Sequence, residues 1–177
     1  IYKMQINKLK NTIKLDNDLE SQSIKIVGLY DPEENGLNID MWLNSNGDQL
    51  KNILTKLSKM NLSKDSNEIM KIILFTNSYY PTKNITEKDF LKFKSDWLIK
   101  NSNLDLIEKY LIKNQIINSN PELTKYFVDY YLSIADINKS CQLFEKNLEP
   151  LINEYLSKFY IYCLIKNGKN DEAQMIF

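Results

Sequence analysis

Breaks in a helical pattern recur along this chain at nearly constant intervals, and this recurrence limits what the chain can fold into more than any other feature. Asn101, Asp136 and Gly168 interrupt runs of period 3.6 and stand 35 and 32 residues apart. Asn101 is followed by Leu106 and Tyr110, Asp136 by Cys141 and Phe144, and Gly168 by Ala173 and Phe177. A turn residue, a small or apolar residue and then an aromatic describe two short helices joined by a tight turn. Such a pair cannot bury its apolar face alone, so successive pairs are expected to stack.

Individual helices follow from spacing and caps. Leu50, Ile53, Leu54, Leu57 and Met60 fall at i, i+3, i+4, i+7 and i+10, with Asp48, Lys51, Lys56 and Lys59 on the opposite face. A second helix holds Ile69, Ile72, Ile73 and Phe75 and should end between Asn77 and Pro81, since the residue before proline resists helical geometry. Thr86 with Asp89 forms a variant capping box that opens a helix carrying Phe90, Leu91, Phe93, Trp97 and Leu98. Leu104, Ile107, Tyr110 and Leu111 make the next, and Asn120 as N-cap with Pro121 behind it starts a helix through Phe127, Tyr130, Tyr131 and Ile134. Asp136 breaks it, and further helices are expected over 138–147, over 150–166 and from Asp171.

The period is close to the roughly 34 residues of a tetratricopeptide unit, and the stretch from Tyr160 to Phe177, with Gly168 and Ala173 in register, resembles the middle of one. The expected fold is all-α: a degenerate tetratricopeptide-like α-solenoid of antiparallel helix pairs over residues 46–177, with a non-repeating helical bundle as the alternative. Residues 1–45 hold Gly28, Gly36 and the Asp31-Pro32 turn but no sustained period. They read as an irregular N-terminal arm lying on the body, with a short helix before Asp16. Ile1 is not an initiator Met and Phe177 falls inside a helical run, so the chain reads as an excerpt of something longer.

The residue inventory excludes much chemistry. With no His there is no Ser-His-Asp or Cys-His pair and no imidazole for a metal or a proton. Four scattered Gly build no phosphate loop. Every basic residue is Lys, the net charge is zero and Lys alternates with Asp and Glu, so no basic field marks a nucleic-acid partner. No apolar run is long enough for a membrane span. We therefore expect no enzyme activity, no cofactor and no resident metal. The acidic run Asp31, Glu33, Asn35 and Gly36 fits the first half of a calcium loop, but Trp42 occupies the place of the bidentate Glu, so the run reads as a capped turn leading to a Trp42 anchor. Cys141 and Cys163 read as buried thiols, and a disulfide between them would need adjacent helices and an oxidising compartment. Aromatic pairs mostly fill space between helices. Tyr130 and Tyr131 point to different helix faces, so one of them is a candidate for a partner-binding groove.

The run Glu20-Ser21, Gly28-Leu29-Tyr30-Asp31-Pro32, Asn35-Gly36-Leu37 and Asp40-Met41-Trp42, followed by Leu50 and Ile53-Leu54, resembles a group of uncharacterised alphaproteobacterial helical-repeat proteins over residues 20–57. The resemblance implies export to the cell envelope and a periplasmic location. The combined expectation is a non-catalytic scaffold for a protein or peptide partner, with Asp31, Asp40, Trp42, Tyr130 and Tyr131 as the candidate partner-binding or arm-anchoring residues. A helical accessory region of a larger cell-wall-acting enzyme is the alternative.

Overall fold

A computed structural model describes residues 26–147 and 149–176. The expected helix before Asp16 lies outside them. The described residues contain eight α-helices and no strand: α1 (Gly47–Lys59), α2 (Lys64–Phe75), α3 (Glu87–Asn101), α4 (Leu104–Lys113), α5 (Pro121–Ser133), α6 (Ile137–Glu145), α7 (Glu154–Lys166) and α8 (Asn170–Ile176).

Short polar side chains start nearly all of these helices, because each accepts from backbone N–H groups that the first turn leaves without partners. Asn46, Ser63, Thr86, Asn103, Asp136 and Asn153 do so for α1, α2, α3, α4, α6 and α7. Asn120 departs from expectation. It stands at the N-cap of α5 but makes no side-chain cap, and its amide donates to the Ser95 hydroxyl on α3 at 2.5 Å. Pro121 at N1 has no N–H and so leaves one fewer unpaired donor in the first turn, and the Asn120 side chain ties two helices together instead of capping.

The turns joining the pairs are more regular than the sequence suggests. Ser102, Ala135 and Gly168 all adopt left-handed backbone, with φ of 47°, 60° and 75°, and stand a constant 33 residues apart. They replace Asn101 and Asp136 as the equivalent positions, and only the glycine advertises itself because Ser and Ala rarely take that conformation. The buried slot one turn into the following helix is then Ile107, Ser140 and Ala173. Leu106 and Cys141, read as the small-residue positions, lie one residue to either side of it. The same 33-residue step relates Phe90 to Leu123 and Leu156, which are all buried on the first helix of their pair.

Each helix from α3 to α7 packs against its successor, and α3 also touches α5. The fully buried Tyr110, Ile107, Phe127 and Phe144 run through the middle of this body. The loop after α4 is bound to the loop after α6 mainly by Asn118, which donates to the Pro150 carbonyl at 2.7 Å and accepts from the Ile152 N–H at 3.2 Å, with Gln115 donating to the Lys146 carbonyl at 3.4 Å. On α1 the apolar stripe is only half covered, since Leu50 and Leu54 are buried while Ile53 and Met60 are exposed. Lys100, at the end of α3, holds the end of α1 by donating to the carbonyls of Ser58 and Met60 at 2.7 and 2.9 Å.

The cysteines correct the sequence reading. Cys141 and Cys163 form a disulfide joining α6 to α7, with Cα atoms 5.5 Å apart, in place of two buried thiols. The neighbouring helices bring the two side chains within bridging range, which sequence separation alone does not reveal. The bond closes a loop with a sequence separation of 22 residues. Replacing both cysteines by Ser should lower the unfolding free energy by about 3 kcal/mol through the freedom regained by the unfolded chain. Urea titration of the two proteins measures this, and an unchanged midpoint would contradict it.

Candidate interaction surface

The arm is held by a dense set of backbone contacts concentrated at Val27, Gly28 and Leu29. On one side it meets the linker between α2 and α3. Val27 N–H donates to the Ser78 carbonyl, Leu29 and Tyr30 donate to the Phe75 carbonyl, and Asn77 donates back to Tyr30. Tyr79 then donates to Ile39, and Gly47 donates to Lys83, so the contact follows the arm to the start of α1. Gly28 is required at the closest approach, because a Cβ there would lie 2.5 Å from the Asn77 nitrogen and 2.6 Å from the Thr76 carbonyl carbon. Those are backbone atoms of a paired segment and cannot swing aside.

On the other side, three side chains of α3 and α4 and their ends grip the same residues. Asn114 accepts from the Gly28 N–H at 2.9 Å and donates to its carbonyl at 3.1 Å, completing both hydrogen-bonding groups of that residue. Lys113 donates to the Leu29 carbonyl at 2.9 Å and Lys94 to the Val27 carbonyl at 3.3 Å. Lys94 is 1% exposed. Its position on α3 corresponds, by the 33-residue step, to Phe127 on α5 and Tyr160 on α7, so a cation fills a slot that aromatics fill in the next two pairs.

Around Lys94 the surroundings are aromatic. The amine lies 5.0 Å from the centroid of Phe90, which also receives Trp42 edge-on at 5.6 Å and Tyr80 at 6.1 Å. One carbonyl and one ring offset only part of the several kcal/mol needed to bury an ammonium, so burial wins and the Lys94 pKa falls to about 7. Burial likewise raises the Tyr110 hydroxyl, and it raises Tyr80 with a smaller contribution from Glu87. The Trp42 indole N–H and the Tyr110 hydroxyl are buried without a partner among the described residues.

The residues singled out from sequence fall into two places. Asp31 accepts from the Glu33 N–H at 2.8 Å and starts a 3-10 turn, Glu33–Asn35, that ends at left-handed Gly36, so its carboxylate builds a turn. Asp40 is exposed in the following turns, where its carbonyl accepts from Leu43. Trp42 is half-buried against Phe90 of α3. Tyr130 and Tyr131 are elsewhere, on α5, packed edge-to-face at 5.4 Å, with Tyr131 also 4.8 Å from Phe127 and Tyr130 partly exposed. No three His, Cys, Asp or Glu side chains among the described residues gather as a metal site would require.

Sequence reasoning missed Lys94, Lys113 and Asn114. A signal for Lys94 was present: Phe90, Leu91, Lys94, Ser95 and Leu98 form one buried stripe of period 3.6. Phe93 and Trp97, read as part of the core face, are half-buried and line a separate apolar hollow of about 240 Å³ with Leu54, Leu57, Met70 and Leu74. No helix among the described residues is long and apolar enough to cross a membrane. No known protein family matches the chain, and no curated protein or solved structure is similar to it.

Lys94 makes stability depend on pH in a defined direction. The unfolded lysine titrates near 10.5 and the folded one near 7. Between those values the unfolded chain carries a proton that the folded chain lacks, so the Lys94 contribution grows as pH rises through the window and is lowest, and constant, below it. In urea unfolding, the stability of Lys94→Met relative to wild type should be greatest at pH 6 to 7 and should fall by a few kcal/mol as the pH approaches 10. A difference independent of pH would contradict burial of the charged group.

Proposed function

We propose that this chain is a non-catalytic helical-repeat scaffold that holds a protein or peptide partner in the cell envelope. The observation that carries this reading is the constant 33-residue step of the left-handed turns Ser102, Ala135 and Gly168, together with the contact between α3 and α5. A stacked array of tetratricopeptide-like pairs produces that combination, because the first helix of each pair packs on both the second helix and the first helix of the next pair. Arrays of this kind present extended surfaces, and binding is their usual use.

Two further features support the reading. The Cys141–Cys163 disulfide is of the sort that persists in oxidising compartments, in keeping with the periplasmic location that the resemblance implies. The absence of His from the sequence removes the commonest acid-base group at neutral pH. In the array the arm braces the first pair, with Trp42 on Phe90 and the Val27–Leu29 segment on α3 and α4.

Affinity capture from a native envelope extract tests the proposal, using the intact gene product and a Trp42→Ala, Asp40→Ala variant of confirmed helical content. The expected result is one protein retained by the intact bait at several salt concentrations and lost from the variant. Recovery of nothing above an unrelated helical bait would contradict the scaffold reading.

A further inference from the structure

A second hollow, of about 550 Å³, lies beside the arm, walled by Leu29 and Tyr30, by α4 and by the end of α6. We propose that it is a docking groove for an acidic peptide segment in which Asp or Glu stands next to apolar side chains. The inference rests on the scaffold reading and names the surface and the partner chemistry.

Charge comes first. Three of the eight lining residues are lysines, Lys109, Lys113 and Lys146, against 23 in 177 for the whole chain, so the enrichment exceeds what general Lys usage provides. The single acid on the wall, Glu108, is taken by Lys139 at 2.7 Å, and this pairing raises the Lys139 pKa. Lys109 and Lys146 make no ion pair among the described residues. Lys113 and Lys146 stand at helix C-termini, where part of their charge offsets the negative end of the macrodipole, but Lys109 lies within α4 and has no such duty.

Shape and polarity select the partner. The remaining wall is Leu29, Tyr30, Leu106 and Ile112, so lysines and apolar side chains share the lining. Nucleic acid is disfavoured, since its affinity grows with the number of phosphates neutralised and this chain carries no net charge. A concave, partly apolar lining also suits an inserted side chain better than a lipid headgroup plane. An acidic segment with adjacent Leu or Ile satisfies both kinds of lining residue. The hydrogen bond from Lys113 to Leu29 fixes one wall to the arm, so the groove exists only with the arm in place.

The test uses the whole chain and a fluorescein-labelled peptide in which Asp and Glu alternate with Leu. Anisotropy gives affinity, and amide chemical shifts locate the site. The proposal expects binding that weakens with added salt, shifts centred on Leu106 to Lys113 and on Lys146, and at least about tenfold weaker binding by Lys109→Glu with Lys146→Glu. Lys113 is left intact because it supports the arm. If that pair of changes unfolds the chain, Lys109→Gln with Lys146→Gln replaces it and should still weaken binding severalfold. Equal binding of a Lys-for-acid peptide, tighter binding of single-stranded oligonucleotide or phosphatidylglycerol vesicles, or no binding at millimolar peptide would overturn it. Shifts centred instead on Phe93, Trp97 and Met70 would also overturn it while leaving the scaffold reading intact.

Discussion

Lys94 donates to the Val27 carbonyl from inside α3, at the helix position that Phe127 and Tyr160 fill in the next two pairs. An aromatic there would satisfy the packing between helices and offer nothing to the arm. A lysine gives up part of that packing and bears a desolvation cost of several kcal/mol, but it supplies the hydrogen bond that the Val27 carbonyl needs once the arm is buried. The exchange is favourable only as one of a set. Asn114 completes Gly28, Lys113 completes Leu29, and the carbonyls of Ser78 in the α2–α3 linker and Phe75 at the end of α2 take the N–H groups of Val27 and Leu29. With every backbone group of the segment accounted for, an irregular stretch can lie in the interior at little penalty.

This clamp divides the described residues into two parts. From α3 onward, helices follow one another in a regular step, tied by Asn118 between loops, Asn120 between α3 and α5, and the disulfide between α6 and α7. Ahead of α3, the arm, α1, α2 and the linker hold together through backbone pairing and the lysine at the end of α3. Both hollows belong to the junction. The apolar one lies between α1, α2 and α3, and the lysine-lined one lies where the arm crosses α4. Both therefore lie where the regular step of helices is interrupted.

Much of the helical body was legible because its signals are local. Amphipathic spacing located α1, Thr86 marked the start of α3 by the hydrogen bond it makes within three residues, and Asp136 marked the break before α6. What the sequence hid was non-local or conformationally silent. Ser102 and Ala135 take a left-handed turn that glycine alone announces, which shifted the repeat register by one residue. Asn120 carries the chemistry of a cap and spends it on Ser95, 25 residues away. The Cys141–Cys163 bond depends on which helices are neighbours, and the grip on Gly28 spans 86 residues to Asn114. Of the proposed surface residues, Trp42 was legible as an anchor in an irregular arm. The basic groove was not, because its walls come from the arm, α4 and α6 at once.

The hydrogen bonds at both faces make the Val27–Leu29 segment an integral part of the helical core. Native-state amide hydrogen exchange at single-residue resolution tests it directly. The Val27, Gly28 and Leu29 amides should exchange as slowly as those of Phe127 and Val128 in α5, with all five opening in one cooperative event. Exchange of the three arm amides at the rate of exposed loop residues, with α5 still protected, would contradict it.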